Sequence, residues 1–371
     1  MKSSYEDHLY ALILAGGGGT RLWPKSKEKT PKQFLKLFNK KTLTQITTER
    51  FLKKISWDKI YCVTVSEAYK KEIIRELPDF KPRNIIVEPH RRDTAPAHGI
   101  GAMYIFKHDP EAVIITESAD RLVEPLDKYL DTMGKAAQLA YDKGVLVSIG
   151  VKPRYAHTGL GHIKMGKEAF KIEGKPFYTV DKFVEKPPLD LAEKYTASGE
   201  YLWNAGQYVW RADAILEAMK KYAPDIYSNL AKIGEVIDTP QEDSVISKSY
   251  EAMPKISIDY AVAEKVSNMV VVSADFFWTD IGDWNEVWKN LPKDKNNNVI
   301  IDGDEEGGVV YNIDSNDSLV QTDGRMIALI DIDNIVVVDT KEALLICTKD
   351  KAQNVKKIVE QLKEEGKKEL L

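Results

Sequence analysis

The chain has 371 residues and carries 53 Lys and Arg against 57 Asp and Glu, a net charge of −4. Hydrophobic residues make up 43% and charged residues 30%, which excludes a disordered chain. The near-cancelling charge excludes the broad electrostatic footprint of a nucleic-acid binder, and no apolar run approaches the ~20 residues of a membrane helix. At about 100–200 residues per domain, two or three domains are expected.

The N-terminal stretch has acidic residues and only a short apolar run, so it lacks a cleavable secretory pattern, and a soluble cytoplasmic protein is expected. Residues 10–15 read as a buried strand ending in glycines, and 41–55 as a helix. Strand, helix, strand follow at 59–65, 67–77 and 84–87, then a small-residue helix at 95–106 and a strand at 112–116. A helix at 127–143 and a strand at 145–151 continue the alternation, which predicts a largely parallel α/β sheet buried on both faces. Ligands of such sheets sit beyond the carboxyl ends of the strands. From Val299 to Cys347 the pattern changes to short β-type runs joined by Asp, Asn and Gly turns, predicting a small all-β unit of solenoid type. In the last helix, over 352–363, Val355, Ile358, Val359 and Leu362 share a face that must dock on this chain or a partner. Cys62 and Cys347 both sit in apolar runs and read as buried reduced thiols rather than a disulfide or metal site.

Seven segments carry chemistry. In LILAGGGGTRLWPKSKEKTPKQF, Leu12–Phe34, a buried strand runs into four glycines, Gly16–Gly19, then Thr20 and Arg21. Glycine lets backbone N–H groups approach a phosphate. The Gly-Lys-Ser/Thr ending of a Walker A loop is absent, and Arg21 stands where a dinucleotide fingerprint needs its third glycine. A phosphate loop of another kind remains, with Arg21 and Lys32 supplying charge; the lesser alternative, for the segment taken alone, is a flexible turn with surface cations. In IIVEPHRRDTAPAHGIGAM, Thr94 reads as the cap of a helix whose N-terminal amides suit an anion or a base edge, although capping alone explains it. In VIITESADRL, Asp120 falls just past a strand end, where one carboxylate with substrate phosphates suits Mg²⁺ and where turn residues are also common. HTGLGHI, FVEKPP and WNAGQYVW supply a close-approach loop at Gly159 and Gly161, a Glu185–Lys186 pair, and Asn204 and Gly206 between aromatics. Carboxylate and amide groups suit a sugar, and Lys186 a phosphate. In FFWTDIGDW, Asp280 reads as a second metal carboxylate or as a turn residue in a Trp-rich core. His157 and His162 have no companion Cys or His to make a zinc site.

Together these segments, with SIDYAVAEK, resemble the sugar-nucleotidyltransferases, in particular the GDP-mannose pyrophosphorylase (mannose-1-phosphate guanylyltransferase) family, over roughly residues 8–290. The segment from Ile330 to Lys363 also resembles that family's tail. The resemblance implies an α/β fold: a Rossmann-like nucleotidyltransferase domain with a mixed, mostly parallel sheet over 1–292, a left-handed β-helix-like unit over 293–350 and a terminal helix over 351–371. It implies transfer of GMP from GTP to α-D-mannose 1-phosphate, giving GDP-mannose and pyrophosphate. By the same resemblance, Arg21, Lys32 and Lys186 act on the reacting phosphates. Leu14, Ala15, Gly16, Gly17, Gly18, Gly19, Thr20, Glu88, Asp93 and Thr94 bind the nucleotide, the Glu88–Thr94 stretch reading guanine. Gly161, Glu185, Lys186, Asn204 and Gly206 bind the sugar phosphate, and Asp120 and Asp280 hold Mg²⁺, for which Mn²⁺ substitutes. No nucleic acid or membrane partner is expected, and a homodimer is left open. The chain departs from the family pattern at Ser118 and Arg121, where Pro-Ala-Asp-His is common, and at WNAGQY, where Trp-Asn-Ser-Gly-Met-Phe is commoner. Its length predicts no added isomerase domain. The alternatives are another hexose 1-phosphate or nucleotide in the same reaction, and a non-catalytic nucleotide-sugar-binding regulator.

Overall fold

A computed structural model describes residues 4–38, 40–302 and 308–371. They group into two compact units that interleave along the chain: one holds the chain up to Gly16 and Thr48–Trp278, the other Gly17–Thr47 and Thr279–Leu371.

The first unit is built on β1 (Leu9–Ala15), β2 (Ile60–Thr64), β3 (Ile85–Val87), β4 (Val113–Ser118), β6 (Leu146–Val151), β7 (His162–Ile172), β8 (Lys175–Val184), β9 (Tyr201–Arg211) and β10 (Met269–Ser273); the short β5 (Leu122–Glu124) lies outside this sheet. The order is β3-β2-β1-β4-β9-β6-β10-β8-β7. β2 and β6 are buried at every residue, as continuous Val/Ile-rich runs require when both sheet faces are covered. The pairings β1–β2, β1–β4, β2–β3 and β6–β10 are parallel, as the alternation of strands and helices predicts. β8 and β9 run the other way, and β9 sits between β4 and β6, antiparallel to both. The sheet is therefore mixed, with most strands pointing one way. Its core is completed by the helix Thr94–His108, buried from Ala95 to Ile105 because its small residues let it lie close to its neighbours.

One local expectation is corrected here. The helix starts at Thr94, and the residue capping it is Asp93, whose carboxylate accepts the Thr94 N–H at 2.7 Å; Thr94 is not the cap. Its hydroxyl instead accepts the Ile258 N–H at 2.9 Å. Cys62 is buried on β2 as expected, and burial pushes its thiol up to about 12.

In the second unit, after β11 (Phe277–Thr279), come β12 (Val299–Asp302), β13 (Val310–Ile313), β14 (Leu319–Thr322), β15 (Ile327–Ile330), β16 (Ile335–Asp339) and β17 (Leu344–Thr348). β12, β14 and β16 pair in parallel, as do β13 and β15, so successive turns of chain stack as rungs of a β-helix. Asn297, Asp314, Asp317, Asp331 and Asn334 turn the corners at positive φ, a conformation Asn and Asp tolerate. Val320, Leu329 and Val337 fill the interior, while Tyr311, Ile313 and Ile330 face outward. β17 closes the unit antiparallel to β16. On this last strand Leu344, Ile346 and Thr348 are exposed while Leu345 and Cys347 share the inward face; Leu345 is buried there but Cys347 is only half-buried, contrary to expectation. The terminal helix Val355–Glu364 docks within this unit, against the turn Thr20–Leu22. Val355 and Val359 carry the contact; Ile358, about 100° from Val359 around the helix, is exposed rather than part of the docked face. Among the described residues, no helix is long and apolar enough to cross a membrane.

Candidate functional site

Parallel register brings the carboxyl ends of four strands of the first unit to one edge. Ala15 lies beside Thr64, Thr64 beside Val87, and Leu14 beside Ser118. Leu14, Ala15, Gly16, Glu88 and Asp120 therefore leave the sheet at the same edge, where open α/β sheets place ligands. The edge is laced by hydrogen bonds from the Thr64 hydroxyl to the Ala15 carbonyl at 3.0 Å and from the Ala119 N–H to the Leu14 carbonyl at 2.9 Å.

Glu88 is 5% exposed, and its Oε1 has no hydrogen-bond partner among the described residues. Burial, only partly offset by the Tyr250 hydroxyl and Arg91, pushes its carboxyl up to about 8. A buried acceptor left open is the kind of group a donor-bearing base edge satisfies. The raised value also carries a stability consequence. A folded carboxyl near 8 against an unfolded value of about 4.3 contributes stability that is complete below the unfolded value and is lost as pH rises through about 8. Glu88→Gln should therefore melt higher than wild type at pH 9, and the gap should close or reverse toward pH 5. Thermal melts across that range check this; a pH-independent gap contradicts it.

Beyond Glu88, the loop is tied down by two reciprocal backbone bonds, Ala95 N–H to the Ile256 carbonyl at 3.1 Å and Ile256 N–H to the Arg92 carbonyl at 3.2 Å. Asp93 holds φ 69° and ψ −170°, a region glycine alone occupies readily, at a cost of order 1–3 kcal/mol.

A second cluster of the same unit joins Gly161, Glu185, Lys186, Asn204 and Gly206. The Asn204 N–H donates to the Gly161 carbonyl at 2.8 Å. Asn204 Oδ1 accepts from the Gly206 N–H at 3.1 Å and the Ser148 hydroxyl at 3.3 Å. Lys186 Nζ lies 2.7 Å from Glu185 Oε1; the Lys186 side chain is 58% exposed and that of Glu185 only 7%. Burial, reinforced by nearby Asp259 and opposed by Lys186, raises the Glu185 carboxyl. Burial also works against the Lys186 charge, but Glu185 and Asp259 outweigh it and hold the ammonium above its usual range. Lys186 takes a positive φ of 48°. A Cβ on Gly161 would sit 2.5 Å from Glu185 Oε2 and 3.2 Å from Asn204 Cβ, so the close approach requires glycine here.

Sequence reasoning assigned no role to the residue at the centre of this cluster. Asp259 Oδ1 accepts from Asn204 Nδ2 at 2.8 Å and from the Tyr208 hydroxyl at 2.5 Å. Its signal lay in SIDYAVAEK, where an acidic residue within the run IDYAVA pointed to no partner. Buried His98 packs its ring edge-on to Tyr208 and bonds the Thr94 carbonyl at 2.7 Å, linking this cluster to the Glu88 loop.

The second unit holds Gly17–Thr20, Arg21, Lys32 and Asp280. Gly19 has φ 62°, and a Cβ there would collide with Lys32 Cβ, so glycine is required twice over. A Cβ on Gly17 or Gly18 would meet open space. Arg21 is exposed on the turn Thr20–Leu22, while Lys32 is 7% exposed and its Nζ donates to the backbone carbonyl of Asp280. Two residues singled out in distant segments are thus brought into contact. Beside Asp280, buried Ile281 takes φ 44°, a genuine outlier for a β-branched side chain. Asp93, Lys186 and Ile281, each at positive φ, fall within three of the segments singled out from sequence.

Asp120 and Asp280 offer hard oxygen donors on partly open loops. Mg²⁺ takes as few as one carboxylate together with substrate phosphates and water, so each of these carboxylates, within its own unit, is a donor of the type it uses. Among the described residues, no three His, Cys, Asp or Glu side chains group as an all-protein metal cage would.

Comparison with known proteins agrees with this architecture. The family described as nucleotidyl transferase matches residues 10–297, and the MannoseP isomerase/GMP-like beta-helix domain matches residues 308–362. The mannose-1-phosphate guanylyltransferase of Klebsiella pneumoniae is 35% identical over 363 residues, 97% of this chain and 75% of that protein. The alginate biosynthesis protein AlgA of Pseudomonas aeruginosa is 34% identical over 366 residues, 96% of this chain and 73% of that protein. A solved structure from Thermus thermophilus, described as a mannose-1-phosphate geranyltransferase, matches with a TM-score of 0.84 at 29% identity, covering 96% of this chain and 99% of that one. The chain belongs to the nucleotidyl transferase family, a family of nucleotidyl-transferring enzymes. Its second part is a beta-helix domain of the kind shared with mannose-phosphate isomerases.

Proposed function

We propose that this enzyme transfers GMP from GTP to α-D-mannose 1-phosphate, releasing pyrophosphate and GDP-mannose. The relatives named mannose-1-phosphate guanylyltransferase, matched over nearly the whole chain, carry this reading. A phosphate oxygen of the sugar phosphate attacks the α-phosphorus of GTP; the bond to the β-phosphate breaks, and its electron pair leaves with pyrophosphate. The attacking oxygen is already ionised at neutral pH, so no general base is required. The difficulty is bringing two anions together, and catalysis is positioning plus electrostatic stabilisation.

Arg21 and Lys32 grip the triphosphate, and the amides of Gly16–Thr20, following Leu14 and Ala15, line its approach. The open Glu88 acceptor takes guanine N–H donors, with Asp93 and Thr94 fixing its loop. Lys186 holds the sugar phosphate, while Glu185, Asn204 and the Gly161 and Gly206 backbone meet the sugar hydroxyls. Asp120 and Asp280 would hold Mg²⁺, or Mn²⁺ in its place, which when bound neutralises phosphate charge. The cytoplasmic assignment is supported by two free cysteines.

Gly161→Ala tests the sugar-phosphate cluster. The added methyl displaces Glu185, and misplacement on the scale of 1 Å costs about 10²-fold. A loss of that order in kcat/KM for the sugar phosphate is expected, with the KM for GTP little changed; an unaltered kcat/KM removes Gly161 from the site. Substrate identity is tested by offering GTP, ATP, UTP and dTTP with mannose or glucose 1-phosphate and identifying products by mass spectrometry. GDP-mannose as the dominant product supports the proposal, and a different nucleotide-sugar overturns its substrate assignment.

A further inference from the structure

Behind the Asp120 turn lies a charge pair with no part in the reaction as described. Arg50 and Glu117 are ion-paired, with side chains 3% and 0% exposed. Glu117 is on β4, three residues before Asp120. Its Oε1 accepts from Arg50 Nη1 and from Gln207 Nε2 at 2.7 Å; its Oε2 accepts from the Tyr129 hydroxyl at 2.6 Å. The other Arg50 nitrogen, Nη2, donates to the backbone carbonyl of Arg121 at 3.0 Å. Arg121 in turn lays its guanidinium over the Trp278 ring at 5.2 Å and brings its Nε within 3.5 Å of Asp120 Oδ1. The turn Ser118–Arg121 is thus pinned on both sides of Asp120: by the Ala119 N–H on Leu14 and by Arg50 on the Arg121 carbonyl.

Stability does not account for this arrangement. Taking an arginine and a carboxylate out of water costs several kcal/mol per ion, and apolar residues of similar size often serve folding as well or better. What the pair provides that apolar residues cannot is a forked donor with one nitrogen on Glu117 and the other on the carbonyl next to Asp120. We propose that Arg50 is a positioning residue: braced by Glu117, Tyr129 and Gln207, it fixes the backbone beside Asp120, and so the direction of that carboxylate, and thereby sets the enzyme's affinity for its divalent cation. This rests on the reading of Asp120 as a metal carboxylate. Groups standing behind a metal ligand typically change metal affinity by about 10–100-fold when removed.

Two variants separate positioning from folding. Arg50→Met with Glu117→Gln removes both charges and keeps an amide for Tyr129 and Gln207. Arg50→Lys keeps the charge opposite Glu117 and loses the fork. Mn²⁺ binding by electron paramagnetic resonance and amide hydrogen exchange over residues 117–123 are measured on each, alongside melting temperature. Both variants are expected to melt cooperatively, to exchange faster in that segment alone, and to bind Mn²⁺ about 10–100-fold more weakly. Asp120→Asn serves as the control and should lose Mn²⁺ binding. If Asp120→Asn binds Mn²⁺ as wild type does, the metal reading is wrong and the inference falls with it. If Asp120→Asn loses Mn²⁺ while folded Arg50→Lys retains wild-type affinity and exchange, the inference alone is overturned. Should the double variant fail to fold, Arg50→Lys decides.

Discussion

Arg21→Ala is expected to lower kcat by roughly 10²–10³-fold, the usual effect of removing one charged donor from a developing oxyanion. Stability should hardly change. Arg21 projects from the short turn Thr20–Leu22, whose anchors are elsewhere: Leu22 is fully buried, and its N–H donates to the Gly19 carbonyl at 2.9 Å. Truncating an exposed side chain on an intact turn normally stays within about 0.5 kcal/mol. The variant therefore separates charge from architecture. Steady-state kinetics with a thermal melt make the test, and an unchanged kcat in a folded variant refutes the role.

Asp280→Asn should be at least as damaging, lowering turnover by more than the 10–100-fold typical of groups behind metal ligands. The substitution removes a charge without moving the loop. Lys32 bonds the backbone carbonyl of Asp280, a contact asparagine keeps, and buried Ile281 at φ 44° fixes the following residue. Asparagine retains one ligand oxygen, so raising Mg²⁺ should restore part of the lost kcat, whereas Arg21→Ala should not respond to Mg²⁺. A half-saturating Mg²⁺ concentration equal to that of wild type would remove Asp280 from the metal site.

How much of this was legible in the sequence depended on the range of the interactions. Strands β1–β4 and β6 were readable because both faces are covered and each is a continuous apolar run. The reversed strand β9 was not, since a strand's direction depends on its neighbours, here β4 and β6. Gly19 and Arg21 were legible as one contiguous loop, and Glu185 and Lys186 as adjacent charges. Asp259 was not, because its partners Asn204 and Tyr208 lie some fifty residues earlier in the chain. The same holds for Arg50 and Glu117, each of which alone reads as an ordinary surface charge. Gln207 and Tyr208, where the chain departs from the commoner family pattern, are explained only by these distant carboxylates: Gln207 pairs with Glu117 and Tyr208 with Asp259.

The most direct test is pyrophosphate release by the purified protein supplied with GTP, Mg²⁺ and mannose 1-phosphate. Controls lack the sugar phosphate, replace GTP with ATP, or contain EDTA. The account predicts stoichiometric release of pyrophosphate and formation of GDP-mannose in the complete mixture, and loss of both in each control. Binding of GTP or GDP-mannose with no pyrophosphate release from any nucleotide and sugar phosphate would contradict it and mark the chain as a nucleotide-sugar-binding regulator.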